Sequence, residues 1–199
     1  IETGEFAYVN LHWYYFNQIN WPAIAAAHAR DMGVFIISPN DKGGRLQAPP
    51  PQLTKLCAPF TPMGFNDLFC LSRPEVHTIS IGAARASDYD AHVEALKYLD
   101  KAPGIIEPVA RRLEREARRI LGADWVAHWK HGLPSTDQVP GNVPIYEMLR
   151  YYMLVKVFHL LPQGVGGRSE PKTAMASVIG VNIWRGFPFF GISFLAGLR

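Results

Sequence analysis

Three short apolar runs alternate with helix-forming stretches in the first half of the chain. Residues 6–16, FAYVNLHWYYF, are dense in aromatic and β-branched side chains and too often interrupted by polar ones for a long helix, which predicts a strand over their first part. NWPAIAAAHARDMG then reads as a helix, with Asn20 near the cap, Pro22 in the first turn, alanines inside and Gly33 just past the end. Residues 34–38, VFIIS, are apolar without alternation, the pattern of a strand buried on both faces of a sheet. EVHTISIG, residues 75–82, alternates and closes on glycine as a third strand. A short helix is expected over residues 65–71, and another through YDAHVEALKYL, capped by Ser87 or Asp88. Strand, helix and strand at this spacing predict βα units and a parallel sheet.

The turn that follows the second strand, SPNDKGGRL, opens at the carboxyl edge of that sheet, where ligands bind in α/β folds. From residue 40 to 62 the chain carries Gly43, Gly44 and the run Pro49-Pro50-Pro51, an excursion over the surface that starts at the site-forming edge.

Beyond Pro103-Gly104 the pattern changes. EPVARRLEREARRILG, residues 107–122, predicts a helix with an arginine-rich face and Val109, Leu113, Ala117, Ile120 and Leu121 on the other. Glu114 and Glu116 interleave with the arginines, which favours a solvated helix over a nucleic-acid surface. His128 and His131 stand one turn apart, but no carboxylate or cysteine follows at ligand spacing, so no metal is expected there. Residues 176–198 are apolar and about as long as a membrane span. Arg185, Pro188 and four glycines interrupt them, and a charge near the middle of a span is costly in lipid, so no membrane partner is expected.

Composition narrows the function classes. With 199 residues, 48% hydrophobic and 19% charged, the chain is globular rather than a disordered tail. A net charge of +3 is too small and too dispersed to point to nucleic acid. Two cysteines, Cys57 and Cys70, without a CxxC pattern, indicate neither a disulfide framework nor a metal site, and fit reduced thiols in a cytoplasmic protein. The first five residues, IETGE, have none of the regions of a signal peptide and read as the interior of a longer chain.

Taken in order and spacing, three segments resemble the C-terminal part of an aldo/keto reductase, an NADP-dependent (β/α)8 barrel. FAYVNLHWYY matches the strand that meets the nicotinamide, GVFIISPNDKGG the strand and loop under the pyrophosphate, and HTISIGAARASDYDAHVEAL the strand, turn and helix at the adenosine 2'-phosphate. The likeness covers residues 6–96 and implies the sixth, seventh and eighth barrel strands with their helices. It implies NADP(H) as cofactor and a small carbonyl or alcohol as substrate, with hydride transfer carried out by the complete protein.

On the matching positions, Asn10 stands where the family places an amide against the nicotinamide carboxamide, and an amide can both donate and accept. Ser38, Asn40 and Gly43 lie where hydroxyl and backbone N–H groups face an anion, and Lys42 adds charge. Gly82 and Ala83 let the backbone approach a phosphate at a helix N-terminus, with Arg85 supplying a planar fork. Asp88, Ala91 and His92 stand where the family offers glutamine, glutamate and asparagine to the nucleotide, so Asp88 and His92 complete the cofactor-binding set. Ile37 replaces an aromatic ring common before the loop serine. The family's catalytic aspartate, tyrosine, lysine and histidine come from earlier strands. Tyr8, His12, Tyr14, Tyr15 and Lys42 do not stand at their positions, so no catalytic residue is assigned.

The expected organisation is therefore a partial (β/α)8 barrel over residues 1–102, a helical extension over 103–163 and an apolar tail over 164–199. The extension looks like the tail of a bacterial branch of these reductases. An iron–sulfur cluster of the kind some relatives carry there is excluded, because the extension has no cysteine. Three strands leave open edges where a barrel would close, which predicts self-association. The competing reading is a catalytically inactive half-barrel serving as a nucleotide-binding or scaffold module. A weaker one is membrane association through residues 176–198.

Overall fold

The structure, a computed structural model, describes residues 1–41, 45–82 and 85–160. It is a mixed α/β architecture, mostly helical, in which β1 (Tyr8–Leu11), β2 (Gly33–Ile37) and β3 (Thr78–Ser80) form one parallel sheet in the order β1-β2-β3. Asn10 pairs with Phe35 and Phe35 with Thr78, so all three carboxyl ends point the same way. The helices are α1 (Trp21–His28), α2 (Pro51–Cys57), α3 (Pro62–Leu71), α4 (Ala86–Leu96), α5 (Ala102–Leu121), α6 (Ala123–His128) and α7 (Ile145–Phe158). The chain divides into two compact units, Ile1–Arg115 and Glu116–Arg199.

In the first unit, β1 is shorter than its aromatic run because the chain turns back after it. Tyr14 and Asn17 exchange backbone hydrogen bonds of 2.9 and 2.8 Å. That turn drives Trp13, Tyr14 and Phe16 into the core instead of along the sheet. Asn20 does sit at the cap of α1, but its side chain bonds the His12 carbonyl at 2.9 Å rather than the helix. Gly33 is not a helix terminator: it opens β2, where a β-carbon would come within 3.2 Å of Tyr8 Cβ.

Val34 and Ile36 are buried, whereas Phe35 and Ile37 are only half-buried. The expectation of a strand buried on both faces is thus corrected. Among the described residues one face, with Val9, Leu11, Val34, Ile36 and Ile79, is the better covered. The other, with Tyr8, Asn10, Phe35, Ile37, Thr78 and Ser80, is half-buried or exposed. Burying Val34 and Ile36 contributes about 1.5–3 kcal/mol each.

Helix α3 starts earlier than its apolar run suggests. The Thr61 hydroxyl accepts from the Gly64 N–H at 3.0 Å, and Pro62 occupies the first turn, where its missing N–H costs nothing. The helix is buried from Pro62 to Cys70, including Asn66 and Asp67. Gly64 lets α4 approach, since a β-carbon there would stand 3.3 Å from Ala95 Cβ. The Pro103-Gly104 pair is likewise the first turn of α5 rather than a break, for the same reason. Along α5, Ile106, Val109 and Leu113 are buried, while Arg111 pairs with Glu107 at 2.8 Å and Arg112 Nε donates to the Leu56 carbonyl at 2.7 Å.

In the second unit Arg119 pairs with Glu116 at 2.8 Å, consistent with a solvated helix face. Trp125 and Trp129 stack at 5.6 Å, and Trp129 stacks on Tyr146 at 5.2 Å, which ties α6 to the start of α7. Arg150 is buried and bonds Glu147 at 2.8 Å. The tail over residues 164–199 lies outside the described residues. Among those described, no helix is long and apolar enough to cross a membrane.

Candidate functional site

A parallel sheet leaves its loops at one edge, and two of these loops meet in the first unit. After β2 the chain enters Ser38 with φ at 54° and, three residues on, Asp41 with φ at 58°. Non-glycine residues take this left-handed region at a cost, and it persists where surrounding contacts hold it. Tyr14 supplies one such contact, its hydroxyl donating to Asp41 Oδ1 at 2.9 Å. Asn66 supplies another from α3, donating through Nδ2 to the Pro39 carbonyl while its Oδ1 accepts from the Tyr15 N–H at 3.0 Å.

The loop after β3 is joined to this one through the Gly82 carbonyl. Gly82 O accepts from Asn40 Nδ2 at 3.0 Å and from Gln47 Nε2 at 2.6 Å. Beneath them His92, on α4, bonds the Asp67 carboxylate through Nδ1, and its Nε2 lies 3.5 Å from Asn40 Nδ2. Asn40, Asp67 and His92 are at most 4% exposed. Burial pushes the Asp67 carboxyl above its ordinary range, and the hydrogen bond and charge of His92 draw it back. Asp67 Oδ1 and Asn40 Oδ1 are buried without a protein partner.

Of the residues singled out from sequence, the structure brings Asn40, Gly82 and His92 into one hydrogen-bonded cluster, with Ser38 two residues before Asn40. Arg85 is exposed just before α4. Asn10 is exposed on the open face of β1, an edge strand, at the level of Phe35 and one strand removed from β3. Lys42, Gly43, Ala83 and the side chain of Asp88 lie outside what the structure describes.

Sequence reasoning missed Tyr14, Asp41, Asn66 and Asp67. The signal for the last two was available: PMGFNDLFCL holds a polar pair inside an apolar helix, and buried polar groups require partners. A cleft of about 310 Å³, lined by Phe60, Gly64, Glu94, Ala95 and Tyr98, lies between the start of α3 and the C-terminal half of α4, and none of the cluster residues lines it.

The other candidate chemistry is spent locally. Among the described residues no group of three or more histidine, cysteine or carboxylate side chains could hold a metal, and His128 Nδ1 engages Asp124 at 3.1 Å. Both cysteines are buried, and burial pushes the Cys57 thiol up to about 12, far from a reactive thiolate at neutral pH. Comparison of the chain with protein-family models, curated proteins and solved structures found no match.

Proposed function

We propose that this chain is the cofactor-binding C-terminal portion of an NADP-dependent aldo/keto reductase, its three strands corresponding to the sixth to eighth of a (β/α)8 barrel. In the complete protein the reaction would be hydride transfer between NADPH and a carbonyl or alcohol. The observation that carries the reading is the junction of two carboxyl-edge loops on one carbonyl, Gly82 O, by Asn40 and Gln47. A helix N-terminus favours anions, and α4 starts at Ala86, soon after Gly82 in the chain. The strained Ser38 and Asp41 fit a loop shaped for a ligand.

The test is isothermal titration of the chain with NADPH and NADH. Arg85→Ala is expected to lower NADPH affinity by about tenfold to a hundredfold, the worth of a charge-assisted hydrogen bond to phosphate, and to change NADH affinity little. Equal losses for both cofactors would remove Arg85 from contact with the 2'-phosphate, and no binding by the unmodified chain up to millimolar nucleotide would leave the scaffold reading.

Gly82→Ala gives a second test. A β-carbon at Gly82 meets nothing within 4 Å, so the fold should be unaffected to within about 0.5 kcal/mol. Nucleotide affinity should fall nonetheless, because the added methyl occupies the approach of the phosphates. Unchanged affinity, with unchanged denaturation midpoint, would place the phosphates elsewhere.

A further inference from the structure

The pair formed by Asp67 and His92 lies beneath the loops and reaches the loop after β2 through Asn40. Its direction of hydrogen bonding is fixed by chemistry at both ends. The Asp67 carboxylate only accepts, so His92 Nδ1 carries the proton toward it. The Gly82 carbonyl only accepts, so the Asn40 amide turns its Nδ2 toward Gly82 and, in the same direction, toward His92. A neutral imidazole protonated on Nδ1 presents Nε2 as an acceptor to that amide, at a long 3.5 Å. The opposite tautomer would set two donors against each other.

The geometry points to a positioning relay: Asp67 holds His92 in the Nδ1–H tautomer, and His92 in turn holds Asn40 in the orientation that ties the loop after β2 to Gly82. The inference rests on the nucleotide-site reading above for its consequence in binding, but not for its mechanism. Asp67 is the titratable group that faces His92 from α3. From the loop after β2 the neighbour is the neutral Asn40, while the Asp41 carboxylate accepts from Tyr14. On α4 itself, Glu94 is engaged by Lys97.

Asp67→Asn can present an N–H to Nδ1 and so releases the Nδ1–H tautomer, which sets an Nε2–H against Asn40 Nδ2 and weakens the tie. NADPH affinity of that variant should therefore fall about threefold to tenfold, the worth of one hydrogen bond. Asn40→Asp exchanges the donor for an acceptor, which pairs with an Nε2–H rather than with a bare Nε2. Gly82 O keeps its bond from Gln47, so the substitution leaves that carbonyl partnered. In this variant the affinity should fall by a similar factor and the ring should shift to the Nε2–H tautomer, a change that a loss of packing does not produce.

The experiment measures NADPH affinity at one neutral pH for the unmodified chain and both variants, with the His92 tautomer read from the nitrogen shifts of its ring. An Nδ1–H tautomer in the unmodified chain, lost together with affinity in the variants, supports the relay. An Nε2–H tautomer in the unmodified chain, or unchanged affinity in the variants, overturns it. If the unmodified chain binds no NADPH, the functional reading falls, and the relay is decided by two other observations. An Nδ1–H tautomer, with hydrogen-exchange protection at the Asp41 amide, which bonds Ser38 O at 3.2 Å, reduced in Asp67→Asn supports it; the other tautomer or unchanged protection overturns it.

Discussion

His92→Leu lowers the stability of the first unit by about 3–5 kcal/mol at neutral pH, because it leaves the Asp67 carboxylate buried without its partner. The loss should shrink as the solution is acidified. Burial already raises Asp67 above the ordinary carboxylate range, and His92 is what lowers it again, so the leucine variant raises it further. A carboxyl whose folded value lies above its unfolded one contributes stability in full below the unfolded value, near about 4, and loses it as pH rises through the folded value. The variant and its parent should therefore lie closest in acid and diverge upward through the range between the folded values of Asp67 in the two proteins. Urea midpoints at several pH values measure this. A gap that is constant, or that widens toward acid, would mean that Asp67 is not held ionised by His92. Replacing Asp67 with leucine in the same variant should recover much of the neutral-pH loss, since two apolar groups of fitting volume leave no buried charge.

Most of the fold of the first unit was legible in the sequence, and the parts that were not share physical causes. The three strands and their parallel pairing follow from apolar runs at βα spacing, and all three occur where expected, β2 shifted by one residue and β3 shorter than its run. The shortening of β1 was hidden because aromatic residues suit a strand and a packed turn equally well; the Tyr14–Asn17 turn is decided by burial of Trp13 and Phe16. Two helix starts were read too late because proline was taken as a stop. At Pro62 and Pro103 it occupies the first turn instead, and at Pro62 the preceding Thr61 was the sign. Gly33 was read as the residue just past the end of α1, whereas it opens β2 and admits Tyr8.

The candidate site was half legible for a related reason. Loop residues Ser38, Asn40 and Gly82 stand out by type, since glycine and short polar side chains at the end of an apolar strand have few other uses. The residues that hold them come from the helix α3 and from the aromatic segment after β1, distant in sequence. Asn66 and Asp67 could be flagged as buried polar groups in need of partners, but their partners are tertiary facts.

Trp13→Ala should be as damaging as the loss of His92, by a different route. The indole is 2% exposed and stacks with ring centroids 5.2 Å from Trp21 and 5.0 Å from Phe69. It therefore joins the turn after β1 to α1 and α3 at once, and its backbone carbonyl accepts from the Cys70 thiol at 3.4 Å. Truncation of such a ring costs about 3–5 kcal/mol, through lost burial and the cavity left behind. Trp13→Phe should cost under about 1.5 kcal/mol. The indole Nε1 is buried without a partner, so the smaller ring removes an unsatisfied donor along with some contact area. Urea denaturation followed by far-ultraviolet circular dichroism measures both. A loss below about 1 kcal/mol for the alanine variant would show that the aromatic cluster does not hold the unit together. The consequence reaches the site, because α3 carries Asn66 and Asp67 on the same turns that Phe69 anchors. In the alanine variant the loop after β2 should lose hydrogen-exchange protection at Asp41 even under conditions where the unit remains folded, while the phenylalanine variant should retain it.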